Sequence, residues 1–308
     1  MVQKNSLNNK ILIICGPTAS GKSSLAVECA KLLNTEVISA DSMYIYKNLN
    51  VGTAKPTKLE MDGVKHHLID VVEPFENFTV SDYKATAEPI VQSLLEKGKI
   101  PIICGGTGFY INSLIYDLSY GNGKDNSFTR EKYKRIAEEN GNLAVYEILK
   151  KLDPVTAEKL HFNDIKRVIR ALEIYESGFK KSEIVDDFTP KYDYNAYSID
   201  FPREVLYDRI NKRVDLMIEN GLLKEISQLL ASGVTKENQC FQAIGYKEIL
   251  DYLTNTITLE QAIDKIKLNT RHYAKRQITF FKRLPKLKLL KPAPINELAH
   301  EIVKDLLK

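Results

Sequence analysis

Apolar positions along this chain follow two patterns that alternate. Short runs at Ile11–Cys15, Glu36–Ser39, Leu68–Val72, Ile100–Cys104 and Ala196–Phe201 have the length and composition of buried strands. Most are separated by stretches with helical spacing, as in Ser24–Leu33, where Leu25, Cys29 and Leu32/Leu33 share one face. Strands alternating with helices predict a parallel sheet wound by right-handed crossovers. From about Asp117 to Asp193 the pattern changes: the turn-rich Gly121-Asn122-Gly123 leads into two or three amphipathic helices. In one of them Ile165, Val168, Leu172 and Tyr175 line a face, with Lys166 and Arg170 on the other side. Asn163 or Asp164 is placed to cap its start and Gly178 to end it. A strand returns after Pro190, followed by a helical C-terminal third.

The first strand runs into Gly16-Pro17-Thr18-Ala19-Ser20-Gly21-Lys22-Ser23, a complete G-x-x-x-x-G-K-S phosphate loop, and a helix follows it. Strand, loop and helix in that order are the context the motif requires. The glycines let successive N–H groups turn toward phosphate oxygens, the helix N-terminus adds partial positive charge, and Lys22 adds a full one. Ser23 offers a hydroxyl to Mg²⁺. The expected fold is therefore α/β, a P-loop NTPase-like parallel sheet formed by residues 1–117 and 194–308, with a helical insertion domain over 118–193.

Charge changes the picture only through its distribution. The net value of +4 implies no particular partner, but Lys265–Lys288 holds nine Lys/Arg residues and no acid. Ile263, Ile266, Thr270, Tyr273, Gln277 and Phe280 mark a mostly apolar helix face there, while Lys267, Arg271 and Lys275 repeat every fourth residue on another. A solvated basic face explains such a stripe, and so does a polyanionic partner. Four scattered cysteines without a C-x-x-C pair argue against disulfides or a zinc site and for a reducing cytoplasm. No apolar run approaches the roughly 18–20 residues of a membrane span, and the polar start of the chain is unlike a signal peptide.

Ligands of open parallel sheets bind beyond the carboxyl ends of the strands. Besides the phosphate loop, Val37–Tyr44 delivers Asp41 there, and Ile102–Tyr110 delivers Thr107 after a glycine pair. Each alone reads as a cap or turn residue; beside a phosphate loop, Asp41 becomes a candidate base or metal ligand. No N-K-x-D motif occurs and no clear Walker B strand; Leu68-Ile69-Asp70 is the nearest substitute. That disfavours motor and switch ATPases and leaves small kinases and other phosphate-loop transferases.

Taken together, Gly16–Ser23, Ile38–Lys47, Asn50–Pro56, His66–Asp70, Gly105–Tyr110, Asn163-Asp164 with Arg167–Glu173, Ala243–Glu248 and Ala274–Gln277 resemble bacterial tRNA dimethylallyltransferases, in order across nearly the whole chain. The resemblance implies transfer of a dimethylallyl group from dimethylallyl diphosphate to N6 of adenosine 37 in the tRNA anticodon loop. The phosphate loop would then hold the leaving diphosphate rather than ATP, with Mg²⁺ as cofactor. Asp41 resembles the base, Thr107 the group that orients the reacting atoms, and Arg213 an arginine on the pyrophosphate. The same resemblance assigns tRNA contacts to Asp41, Ser42, Met43, Tyr44, Thr107, Arg130, Lys166, Arg167, Val168, Ile169, Arg170, Gln242, Ala243, Ile244, Gly245, Tyr246 and Lys247. The basic stripe adds Arg271, Lys275 and Arg276. A cytoplasmic monomer is expected. The rival readings are a P-loop kinase for a small molecule or nucleoside, prenyl transfer to free adenine nucleotides, and a non-catalytic RNA-binding module.

Overall fold

The computed structural model describes residues 9–118 and 127–308, so the Gly121-Asn122-Gly123 turn lies outside them. The chain divides into two compact units, Met1–Ile115 with Pro190–Lys308, and Tyr116–Thr189.

The first unit opens with β1 (Lys10–Cys15), α1 (Lys22–Leu33), β2 (Val37–Ser39), a short α2 (Lys58–Met61), β3 (His66–His67), α3 (Val80–Glu96), β4 (Ile102–Gly105) and α4 (Gly108–Ile115). In the second unit follow β5 (Tyr116–Asp117), α5 (Ser127–Asn140), α6 (Asn142–Leu152), α7 (Pro154–Ala157) and α8 (Ile165–Glu176), with β6 (Asp187–Pro190) paired to β5. The chain then continues through β7 (Asp193–Ile199), α9 (Arg203–Glu219), α10 (Leu222–Ala231), α11 (Tyr246–Leu253), α12 (Leu259–Phe281), β8 (Leu287–Leu290) and α13 (Ile295–Leu306).

Six strands form a parallel sheet in the order β3-β2-β4-β1-β7-β8. The central β1 is buried on both faces, as the unbroken Ile11-Leu12-Ile13-Ile14-Cys15 run requires of a strand covered on each side. Leu12 and Ile14 pack with Leu25 and Cys29 of α1 and with Leu298 and Ile302 of α13. The neighbours β2, β4 and β1 bring three strand ends side by side, and those ends carry Asp41, Thr107 and the phosphate loop.

The expected strand over Leu68–Val72 is not formed. Pairing stops at His67, and Leu68 (φ 61°) and Asp70 (φ 55°) take left-handed conformations that no strand accommodates. Val72 makes one isolated bridge to Tyr46. The Asp70 carboxylate meets the Lys55 ammonium at 2.6 Å instead of serving a Walker B role.

The second unit has its own core, in which Tyr133, Val145, Leu149, Val168 and Leu172 cluster. Helix α8 starts at Ile165 and stops at Glu176, with Gly178 (φ 90°) just beyond. Its buried face is wider than the spacing predicts: Ile169, Ala171, Glu173 and Ile174 are buried, whereas Tyr175 is only partly so.

Candidate active site

The phosphate loop is built by close backbone approach. Gly16 sits at φ 138°, and a Cβ there would lie 2.5 Å from the Ser198 hydroxyl oxygen on β7. Gly21, at φ 84°, turns the chain into α1 without a side-chain cap, leaving the helix amides for a ligand. Two long-range bonds fix the loop. The Arg209 Nε donates to the Ala19 carbonyl at 2.8 Å. The Thr18 N–H donates to the Gln277 side-chain oxygen at 2.9 Å, while the Gln277 amide nitrogen donates to the Gly106 carbonyl, also at 2.9 Å. One buried carboxamide on α12 thus ties the phosphate loop to the glycine pair after β4.

Asp41 and Thr107 meet by the same sheet logic. Ala40 N–H donates to the Cys104 carbonyl, and Thr107 N–H to the Ala40 carbonyl, which continues the β2–β4 register past the strand ends. Gly105 is obligatory there, since a Cβ would fall 2.1 Å from the Ala40 carbonyl oxygen. Ser42 N–H donates to the Thr107 hydroxyl at 3.0 Å. The Asp41 carboxylate accepts the Met43 N–H at 3.0 Å through one oxygen. Tyr273, from α12, interacts with Thr107 and Gln277; burial first and then the Asp41 charge push its phenol up to about 12, so it remains a donor.

Lys22 is 8% exposed, and its Nζ lies 3.4 Å from the Pro17 carbonyl oxygen. Burial lowers its pKa, the negative charge of Asp41 works against that, and Arg213 adds to it. Asp41 and Arg213 are therefore both within electrostatic reach of Lys22. Arg213 donates to the carbonyls of Thr53 (3.4 Å) and Ala54 (3.2 Å), and Tyr44 also donates to Ala54. Burial pushes the Cys104 thiol up to about 12, which removes it as a nucleophile.

Polar residues without a sequence signal hold this loop. Glu225 of α10 accepts the N–H groups of Asn50, Val51 and Gly52 at 2.7, 2.7 and 3.0 Å and the Tyr246 hydroxyl at 2.7 Å. Lys55, 8% exposed, donates to the Tyr46 carbonyl as well as pairing with Asp70. Their partners are backbone groups or distant side chains, so no periodicity marks them. Arg209 lies four residues before Arg213 on α9, and that spacing was the one available hint.

A cavity of about 280 Å³ joins these parts: Lys22 and Arg213 line it together with Asp41, Tyr273, Gln242 and Gln277. A more open cleft of about 690 Å³ shares Lys22, Tyr44 and Arg213 and adds Ser23, Lys55 and Lys212. Ser42, Met43, Ala243 and Ile244 also line the inner cavity. Several expected contact residues are buried instead. Tyr246 is fully buried on Glu225, Gly245 starts α11 with its N–H on Glu248, and Val168 and Ile169 belong to the second unit's core. Ile169 also lines a cleft of the second unit. Lys247 is exposed. Arg271 donates to Asn211 at 2.7 Å and Lys267 pairs with Asp215 at 2.6 Å, so of the Lys267, Arg271 and Lys275 stripe only Lys275 is not used against α9. Ala262, Ala274 and Phe281 take core positions on α12 that the spacing gave to Ile263, Thr270 and Tyr273.

Within the second unit, Arg130 and Arg170 both bind the buried Glu173, at 2.6 and 2.9 Å, beside a cleft of about 580 Å³ whose rim also carries Lys134 and Lys166. Arg167 is exposed and pairs with Asp164 at 3.2 Å.

A parallel sheet whose phosphate loop opens into a cavity holding a carboxylate and a hydroxyl is the build of a P-loop-like transferase, which moves a group off a phosphorylated donor. Residues 44–284 match the family described as IPP transferase. The chain is 50% identical over 279 residues to a tRNA dimethylallyltransferase of Thermoanaerobacter sp. (strain X514), covering 89% of each. It is also similar to the crystal structure of a full-length tRNA isopentenylpyrophosphate transferase from Bacillus halodurans (40% identity, TM-score 0.71, 97% of each chain). A eukaryotic dimethylallyltransferase, solved acting on tRNA, matches with 32% identity and a TM-score of 0.79 over 96% of this chain and 77% of that one. The chain belongs to the IPP transferase family.

Proposed function

We propose that this chain is a tRNA dimethylallyltransferase, moving a dimethylallyl group from dimethylallyl diphosphate to N6 of adenosine 37 in the anticodon loop. The observation that carries this reading is the cavity in which Lys22 and Arg213 stand beside Asp41 and Ser42, with the Thr107 hydroxyl bonded to the Ser42 N–H behind it. The allylic C1–O bond breaks and its electron pair leaves with the diphosphate. The phosphate-loop amides, Lys22 and Arg213 stabilise that growing charge. N6 bonds to C1, and its proton passes to the free oxygen of Asp41. Adenine's amine is a poor nucleophile, so removal of this proton is worth about a hundredfold or more. Thr107, fixed by Ser42, and the protonated Tyr273 orient the amine.

Among the described residues no three His, Cys, Asp or Glu side chains cluster as a metal cage. The Ser23 hydroxyl is a hard-oxygen donor, and with the diphosphate oxygens that the substrate would bring it suits Mg²⁺, which keeps several waters and is commonly carried by phosphates. Ser23 would hold the ion, and when bound it would neutralise charge on the departing diphosphate. No helix among the described residues is long and apolar enough to cross a membrane; a cytoplasmic monomer working on tRNA agrees with that.

The deciding experiment incubates unmodified tRNA with dimethylallyl diphosphate and analyses the nucleosides by mass. A product heavier by one dimethylallyl group at adenosine 37 is expected. Phosphoryl transfer from ATP, or modification of AMP but not of tRNA, overturns the reading.

A further inference from the structure

We infer that Phe109, paired with Phe280, forms a stacking platform for an unpaired base next to the target adenosine; this rests on the tRNA reading above. Phe109 stands two residues after Thr107, at the start of α4, and is 62% exposed. Its ring meets Phe280 edge-to-face at 5.6 Å. Phe280 is itself held: its ring occupies the space where a Cβ on Gly108 would lie, 2.1 Å away, so the α4 backbone and the α12 side chain are in direct contact. The Thr107 carbonyl accepts the Tyr110 and Ile111 N–H groups, fixing the turn that presents Phe109. An exposed aromatic face is therefore fixed immediately outside the reacting groups.

The charge around it selects the partner. Arg276, four residues before Phe280 on α12, lines the active cavity, and its guanidinium lies 5.7 Å from the Tyr273 ring. Arg283 follows three residues after Phe280, in the turn just beyond the end of α12. Lys275, Arg276, Lys282 and Arg283 are exposed, and none pairs with a carboxylate among the described residues. A rigid aromatic surface bordered by cations that no carboxylate neutralises is the combination that binds single-stranded nucleic acid: the base stacks and the phosphates are neutralised. Once the target base leaves its stack, a neighbouring base loses a partner, and Phe109 replaces it.

The chain contains no tryptophan, so Phe109→Trp installs a unique fluorophore at the platform. Expected are quenching of that tryptophan by an unmodified anticodon stem-loop but not by dimethylallyl diphosphate, and retention of near-normal RNA affinity. Phe109→Ala should weaken stem-loop binding by about fivefold or more, the size of a stacking loss, with Tm and the KM for dimethylallyl diphosphate unchanged. An abasic nucleotide on one side of the target should abolish the quenching. Full binding by Phe109→Ala, or stem-loop that binds by anisotropy without quenching, or quenching that survives abasic substitution on both sides, overturns the platform alone. Absence of RNA binding by the unaltered chain overturns the platform and the tRNA reading together.

Discussion

Asp41 is the residue whose chemistry is most exposed to test, because one of its oxygens is engaged by Met43 N–H and the other is not needed by the fold. Asp41→Asn keeps the shape and the turn but cannot accept the amine proton. Single-turnover prenylation should fall by about a hundredfold or more while stem-loop affinity stays within about twofold; an unchanged rate would remove Asp41 as the base. Lys22 poses the opposite case, a residue that function holds in a place stability disfavours. Its folded pKa lies below the ordinary 10.5, chiefly through burial. In the window between those two values the unfolded chain binds more protons than the folded one, so stability rises with pH there. Lys22→Met removes that penalty. Its Tm should exceed that of the unaltered chain at neutral pH, and the gap should close as pH rises toward 10.5, while use of dimethylallyl diphosphate collapses. A lower Tm at neutral pH would contradict this account of the buried ammonium.

Among the elements, α12 contributes most to the site and was the least legible. The 3-4-3-4 spacing located the helix, yet a period cannot tell a core position from a polar one that bonds across the sheet ends. Gln277 looks like an interruption of an apolar face, but it bridges the Thr18 N–H and the Gly106 carbonyl. Those partners lie far back in the chain, and nothing near Gln277 announces them. Glu225 on α10 escaped for the same reason. Local signals were enough to place residues whose setting is local, such as the phosphate loop between β1 and α1 or Asp41 and Thr107 on their strand ends. They gave no sign of burial: Tyr246, Val168 and Ile169 sit in family motifs, and their side chains are buried. Gln277→Leu should leave both backbone groups without partners, at about 1–3 kcal/mol each. A lower Tm, read by thermal unfolding, should accompany a raised KM for dimethylallyl diphosphate, because the loop loses its tether. Loss of stability with an unchanged KM would show that Arg209 alone holds the loop.

For the whole molecule, the net charge of +4 says little, and what matters is which cations remain free after folding. Lys267 and Arg271 are engaged by Asp215 and Asn211, and Lys286 and Lys288 pair with Asp193 and Asp305. Lys275 and Arg276 retain exposed charge, Arg276 at the active cavity itself, and so carry the electrostatic part of RNA binding from this helix. Each phosphate contact contributes roughly 0.7–0.9 to the slope of log affinity against log salt. Lys275→Ala with Arg276→Ala should therefore flatten that slope by about 1.5 and weaken binding most at low salt. Lys267→Ala should leave the slope unchanged while lowering Tm slightly, because its charge is already answered by Asp215. If Lys267→Ala flattened the slope as much as the pair, the free and engaged cations would have been assigned the wrong way round. A salt titration of stem-loop binding by the three proteins separates these outcomes.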